Sequence, residues 1–233
     1  MTCEKLVGQR LRQLIIDLLK SSDIDNSINK LQELPTQKVM GTLFSSLCSH
    51  EDEIKWHAVT ALGVFVANLA REDMESARTI MRRLMWSLND ESGGIGWGAP
   101  EAMAEIMACH EGLAKEYAPI LVSYIREDGN FLEYELLQRG VIWGIGRLAQ
   151  VRPQLLKSLD VIHYLLPYLE SGDATLRGFA AWAIGLLGAK EARSQLKSLL
   201  GDDAQITLYK NRILYIYSVD ELAREALELI QSA

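Results

Sequence analysis

The chain of 233 residues is predicted to be all-α, an α/α superhelix (solenoid) of stacked helix pairs with a small β-hairpin near the C-terminus. The first observation is the segment DATLRGFAAWAIGLLG at residues 173–188, whose pattern recurs upstream at a near-constant interval. The second is that this pattern places small residues three apart on one helix face, where a neighbouring helix can approach closely. The third is an alternation of apolar and polar residues around residue 210, which is typical of strands.

The repeats share one register, in which Leu176, Leu137, Ile95 and Ile54 correspond. The steps between them are 39, 42 and 41 residues, close to the roughly 40-residue period of two-helix repeats. Four columns of small or apolar residues follow: Ala58, Ala99, Val141, Ala180; Ala61, Ala102, Gly144, Ala183; Leu62, Met103, Ile145, Ile184; and Gly63, Ala104, Gly146, Gly185. Because each helix pair buries its apolar stripe only against the next, we expect one continuous solenoid over residues 35–232, with about five repeats.

The N-terminal residues 1–34 are predicted to cap the array with two helices. The first covers about residues 4–20, and the second is capped by Asp25 or Asn26 and ends before Pro35. The paired helices are expected at about 36–48 with 52–69, 72–88 with 97–109, 113–127 with 131–150, and 154–170 with 174–188, followed by a helix at 190–200. Pro119 and Pro167 should end or kink the helices in which they lie.

The last repeat is interrupted by the segment AQITLYKNRILYIYS. Its alternation predicts a β-hairpin insert at about residues 205–217, with strands 205–209 and 212–217 about a turn at Lys210 and Asn211. Helix then resumes at DELAREALELI, with Ser218 or Asp220 as its cap. The hairpin is suited to cover the open end of the array.

The motif resembles the HEAT family, and in particular the short HEAT-like repeats of bilin (PBS) lyase subunits. The match includes Asp173 and Arg177 with the small residues that follow, and HEDEIKWHAVTALG supplies Glu51 and Lys55 at the same two positions. The two middle repeats depart from the pattern and carry Ser92 with Gly96 and Tyr134 with Gln138 there. The resemblance implies a ladder of acid-base pairs that runs between repeats, and we expect this ladder to be broken at these two copies. The resemblance covers roughly residues 35–232 and implies the fold, whereas one scaffold of this kind serves unrelated functions.

Composition argues against several classes of partner. A net charge of -7 and a pI of about 5.2 disfavour nucleic-acid binding, which relies on lysines and arginines that displace counterions. The apolar runs are too short to span a bilayer, and the N-terminus lacks a signal-peptide core, so we expect a cytoplasmic protein that binds no membrane. Cys3, Cys48 and Cys109 show no CxxC spacing, which is consistent with reduced, buried thiols.

The second helix of each pair lines the concave face in proteins of this kind, and the resemblance assigns that role to the helices beginning near residues 54, 96, 137 and 176. Four of the five tryptophans fall in two columns there, together with two pairs of opposite charges that would lie on adjacent repeats, Glu101 with Arg139 and Glu105 with Arg147. The predicted partner-binding residues are Trp56, Trp97, Glu101, Glu105, Arg139, Trp143, Arg147 and Trp182. Tryptophan and arginine are enriched at binding hot spots, so this face is predicted to bind a protein or peptide; the alternative is that the tryptophans pack between repeats.

One loop surrounds Trp97 with Gly93, Gly94, Gly96 and Gly98. Such a run favours close approach of another backbone or a ligand, or a long turn with Pro100 in the first turn of the next helix. The spacing is not that of a phosphate-binding loop.

The alternative function is a metal-dependent or bilin-lyase-like enzyme built on the same repeats. Deoxyhypusine hydroxylase has similar repeats and holds a metal pair with His-Glu dipeptides at the start of its inner helices. The dipeptides here, His50-Glu51 and His110-Glu111, fall outside the corresponding positions, so we expect no cofactor and no metal. His163 is expected to contribute to a helix face.

Overall fold

The computed structural model describes residues 3–88 and 96–232, with side chains from residue 8 onward. Two compact units are distinguished by their internal contacts, residues 1–102 and residues 103–233. The fold is all-α apart from a two-stranded antiparallel sheet near the C-terminus, which confirms the predicted fold class. Within the described ranges, no helix combines the length and apolarity that crossing a membrane requires.

The first unit contains α1 (Cys3–Leu19), α2 (Ile24–Gln32), α3 (Thr36–Ser46), α4 (Asp52–Glu72), α5 (Met74–Leu88) and the start of α6 (Ala99–Cys109). Asp23 caps α2 by accepting a hydrogen bond from the backbone N–H of Asn26, so the cap lies two residues before the earlier of the two predicted positions. Pro100 lies in the first turn of α6, as predicted, where its missing N–H costs no helical hydrogen bond.

The second unit contains α7 (Glu111–Ser123), α8 (Glu135–Val151), α9 (Pro153–Lys157), α10 (Val161–Leu165), a 3₁₀ helix (Leu166–Glu170), α11 (Ala174–Leu187), a 3₁₀ turn (Lys190–Ala192), α12 (Arg193–Ser198), β1 (Gln205–Lys210), β2 (Ile213–Ser218) and α13 (Val219–Ser232). The predicted helix 154–170 is wrong as a single element. Asp160 has a left-handed backbone with φ 53°, and Pro167 lies in the 3₁₀ segment, so the chain turns twice. Pro119, by contrast, is accommodated inside α7.

The four predicted columns form the interior of the helix pairs. Ala58, Ala61 and Leu62 have no exposed surface, and the same is true of their counterparts Ala180, Ala183 and Ile184, among others. Ile95 lies outside the described residues. Helix α11 packs against both α8 and α13, where small residues allow the close approach that the motif predicted.

The hairpin pairs β1 with β2 in antiparallel register from Gln205 opposite Ser218 to Lys210 opposite Ile213. Its two turn residues are Asn211 and Arg212, both with positive φ, so the turn lies one residue later than predicted and has the type I′ geometry that two-residue hairpins prefer. Ser218 and Glu221 then exchange hydrogen bonds across the first turn of α13, which forms a capping box and confirms Ser218 as the cap.

Replacing Gly185 with alanine should destabilise the protein by about 1–3 kcal/mol, because the new Cβ would lie 2.6 Å from the Cα atom of Ala226 in α13. The backbone of α13 must move to make room. Urea unfolding followed by circular dichroism measures the change. The matched control is Gly41→Ala in α3, where nothing lies within 4 Å of the new Cβ and the better helix former should stabilise by about 0.5–1 kcal/mol. Equal effects of the two substitutions would contradict this account.

Candidate functional site

Three of the four predicted tryptophans are interior side chains. Trp143 is 1% exposed, and Trp182 and Trp56 are also buried. The indole N–H of Trp143 donates to the carbonyl oxygen of Tyr209 at 2.8 Å, which ties α8 to the hairpin. The ring of Trp182 lies where a side chain at Gly146 would have to be. Trp143 and Trp182 therefore pack between elements of the second unit, as the packing alternative describes.

The predicted pair of Glu105 and Arg147 is present in the second unit. The guanidinium donates from Nε to one carboxylate oxygen at 2.6 Å and from Nη2 to the other at 3.1 Å. Burial acts to lower the pKa of Arg147, but the hydrogen bonds and charge of Glu105 outweigh it and raise that pKa. The thiol of Cys109 lies 3.7 Å from the same carboxylate.

Glu101 and Arg139 each form an ion pair within their own unit. Glu101 binds Lys55 at 2.7 Å, and Arg139 donates from Nε to Asp173 at 2.8 Å. The reason is that Asp173 caps α11 with one carboxylate oxygen and leaves the other free to accept from α8. The acid-base ladder of the repeats thus persists in the departing copies, with different residues.

The glycine-rich loop is described from Gly96 onward, and its Gly93, Gly94 and the ladder residue Ser92 lie outside the described residues. Gly98 has φ 75°, and a Cβ there would lie 2.8 Å from the carbonyl oxygen of Leu47. The close approach expected at this loop is therefore made by the chain's own backbone. Trp97 is half-buried, and its Nε1, like Oε2 of Glu101, is buried without a hydrogen-bond partner among the described residues.

The sequence did not reveal an open cleft in the second unit. Its volume is about 710 Å³. The lining comprises the buried residues Ile125, Gln138 and Leu176, the exposed carboxylates of Glu127, Asp128 and Glu135, the rings of Phe131, His163, Tyr164 and Tyr168, and also Pro167 and Ser171. It is bounded by the loop between α7 and α8, by α10 with its 3₁₀ extension, and by the first turns of α8 and α11.

The loop is held in place by Gln138, one of the two residues at which this repeat departs from the motif. Its amide Nε2 donates to the carbonyl oxygen of Leu132 at 2.6 Å, and the backbone N–H of Leu132 donates to the carbonyl oxygen of Tyr124. Phe131 is left 37% exposed beside this anchor. Gln138, which departs from the motif, is therefore itself a residue of the cleft wall.

The remaining candidate catalytic groups have structural roles. His110 caps α7 by accepting from the backbone N–H of Leu113, and Glu111 pairs with Lys115. Burial, with the charge of Glu105, raises the pKa of the Cys109 thiol to about 12, and burial also raises the pKa of Cys48. In residues 3–88 and 96–232, no three histidine, cysteine, aspartate or glutamate side chains converge on a point where a metal ion could be held.

Comparison with known proteins agrees with the repeat geometry. Residues 135–187, from the start of α8 to the end of α11, match the HEAT-like repeat family. An uncharacterized protein of Archaeoglobus fulgidus is 30% identical over 164 residues, which cover 68% of this chain and 77% of the archaeal protein. The chain belongs to a HEAT-type repeat family. Its HEAT-like repeat at 135–187 is also the one that borders the cleft.

Solved structures of similar fold are helical repeat proteins at low sequence identity. A designed armadillo repeat protein, YIII(Dq)4CqI, aligns with 94% of this HEAT-like chain and 99% of its own, with a TM-score of 0.52 and 19% identity. An engineered protein, target OR329, aligns with 96% and 97% of the two chains at a TM-score of 0.52 and 18% identity. A third, YIII(Dq.V1)4CPAF, is a designed armadillo repeat protein in complex with the peptide (KR)4 and also has a TM-score of 0.52 and 19% identity.

Proposed function

We propose that this chain is a non-catalytic HEAT-like repeat module that binds a segment of a protein or peptide partner. The observation that carries the proposal is the open cleft of about 710 Å³ beside the matched repeat. Its volume falls within the range of about 300–1,000 Å³ that is typical of ligand sites. Phe131, Tyr164 and Tyr168 line it with the aromatic surface that is enriched where proteins meet partners.

The predicted face of the second helices remains part of the proposal, with roles divided by exposure. Trp143 and Trp182 position the helices from inside, whereas Arg139 and Trp97 keep partial exposure toward a partner. The unpaired Nε1 of Trp97 and Oε2 of Glu101 supply a donor and an acceptor whose burial is costly until they are bonded, which favours capture of a polar group. Binding on a concave face stays a prediction.

Fold likeness supports a peptide as the partner only in general terms, since one of the similar designed proteins was solved with a bound peptide. A net charge of -7 favours a protein over a nucleic acid, and we keep the cytoplasmic location as part of the proposal. We also assign the repeats to the bilin lyase type, on the motif at residues 173–188 and on its second copy HEDEIKWHAVTALG.

The proposal predicts that the immobilised protein will enrich a convergent motif from a phage-displayed library of random peptides. Phe131→Ala should reduce retention of the enriched phage, because it removes an exposed ring that lines the cleft. Ile216→Ala on β2 is the matched control, an exposed apolar residue of the same unit away from the cleft lining. If no motif converges, or if urea-unfolded protein retains the phage equally well, the proposed function is wrong.

A further inference from the structure

The geometry of the cleft points to its occupant: we propose that it binds a segment carrying arginine or lysine side chains. This inference rests on the proposed function and names the chemistry of the partner.

Three arginines that are next in sequence to residues of the lining are engaged by carboxylates. Arg126 binds Asp128 through two hydrogen bonds, at 3.0 and 2.7 Å. Arg139 binds Asp173, the cap of α11, and Arg177 binds Asp202 through Nε and Nη2 at 2.9 and 2.7 Å. In each of these three pairs the positive and negative charges neutralise one another. Their carboxylates are therefore not available to a positively charged visitor.

Two carboxylates of the lining remain without such compensation. Glu127 and Glu135 are exposed on the cleft and make no ion pair with the side chains that the structure describes. The lining itself contains no lysine or arginine. The cleft therefore carries excess negative charge, which attracts a cation and repels an acidic peptide.

One guanidinium beside the cleft already lies against a ring of the lining. The guanidinium carbon of Arg126 lies 5.0 Å from the ring centroid of Tyr164 while the carboxylate of Asp128 holds it from the side. An arginine bound this way gains from both the ring face and the forked hydrogen bonds. Tyr168 and Phe131 offer further rings next to the unpaired Glu127 and Glu135, so the same arrangement can form with an incoming side chain.

Tyr168 also lies within the electrostatic reach of this acidic group. Burial, together with the negative charge of Glu127, raises the pKa of Tyr168 to about 12. The phenol is therefore neutral at physiological pH and contributes an uncharged ring. A cation bound between Glu127 and this ring loses contacts with water. It gains an ion pair with the carboxylate and a cation–π contact with the ring.

The size of the cleft favours a chain segment over a single small cation. A volume of about 710 Å³ is larger than one side chain fills, and the two unpaired carboxylates lie on different elements, the α7–α8 loop and the first turn of α8. A peptide with two nearby basic side chains can pair with both carboxylates. One of its side chains can also stack on the exposed ring of Phe131, which lies between Glu127 and Glu135 in the sequence.

The test measures fluorescence polarisation of a labelled Gly-Arg-Arg-Gly-Arg-Gly peptide titrated with the full chain. A peptide of the same sequence with citrulline at each arginine keeps nearly the same side-chain shape but replaces the charged guanidinium with a neutral urea, which has fewer N–H donors. We expect the citrulline peptide to bind at least about tenfold more weakly. Glu127→Gln with Glu135→Gln should weaken the arginine peptide by a similar factor. The control Glu191→Gln with Glu228→Gln removes the same charge from exposed sites elsewhere and should change binding less than about twofold.

The possible outcomes distinguish failure of the basic-segment inference from failure of the proposed function. No binding of the arginine peptide at about 1 mM, with phage-selected peptides still bound, would overturn the basic-segment inference and leave the interaction module standing. Equal binding of the citrulline peptide, or equal losses in the two double variants, would also overturn it. If spermine displaces the peptide at a lower concentration than unlabelled peptide does, the site takes small polyamines and the proposed peptide occupant is wrong. Failure of every peptide would remove both proposals.

Discussion

Replacing Trp143 with alanine is expected to lower the free energy of unfolding by about 3–5 kcal/mol, the range for truncating a buried aromatic residue. Trp143 is 1% exposed and packs near the ring of Tyr209, with centroids 6.4 Å apart. The substitution leaves a cavity in α8 and also removes the donor for the carbonyl oxygen of Tyr209, to which the indole is bonded at 2.8 Å. Because that bond joins α8 to β1, the hairpin should loosen before the helices unfold.

Urea unfolding measured by circular dichroism gives the change in stability, and amide hydrogen exchange of residues 205–218 reports on the hairpin. The chain offers a matched control, since Trp86 on α5 is 81% exposed and undergoes the same chemical change. Trp86→Ala should alter stability by no more than about 0.5 kcal/mol. A small effect at Trp143 would show that this side chain is less tightly packed than the structure indicates, and would reopen its role as a contact residue.

The sequence predicted the small residues between the helices, but it did not decide whether Trp143 is buried or exposed. The repeat columns were predictable because Ala61, Ala183 and Gly185 must be small wherever neighbouring helices touch, and this constraint repeats with the period of the motif. The same period, however, applies to a residue that faces a groove and to one buried under the next helix. Trp143 therefore fitted both interpretations, and only its contact with Tyr209, 66 residues further on, separates them.

The cleft could not be predicted because it depends on a segment without periodicity. The α7–α8 loop takes its position from the hydrogen bond between Gln138 and the carbonyl oxygen of Leu132. Gln138 departs from the motif in the sequence, but its hydrogen bond to the loop was not predictable from that departure. The exposure of Trp86 was not predictable either, because this residue lies on a first helix, outside the two tryptophan columns. The hairpin was found because alternation over Ile206, Leu208 and Tyr215 is a local signal.

Replacing Arg147 with methionine is expected to destabilise the protein by about 3–5 kcal/mol, as when one partner of a buried ion pair is removed. Glu105 is buried, and its carboxylate receives two hydrogen bonds from Arg147. The shorter apolar side chain would leave this charge in the interior with only the weak thiol donor of Cys109. The cost therefore comes from the stranded carboxylate more than from the lost attraction.

If the stranded carboxylate causes the loss of stability, the double variant Glu105→Leu with Arg147→Met should avoid it. Removing both charges and filling the space with apolar groups should restore most of the lost stability, since replacing buried pairs in this way is often neutral. The exposed pair of Arg82 and Glu75 is the control, with N–O distance 2.6 Å, and Arg82→Met should cost no more than about 1 kcal/mol. Urea unfolding of the four proteins separates the possibilities. A double variant as unstable as Arg147→Met alone would mean that the pair holds α6 and α8 by its geometry, so that the ladder between repeats contributes to the fold beyond the neutralisation of a buried charge.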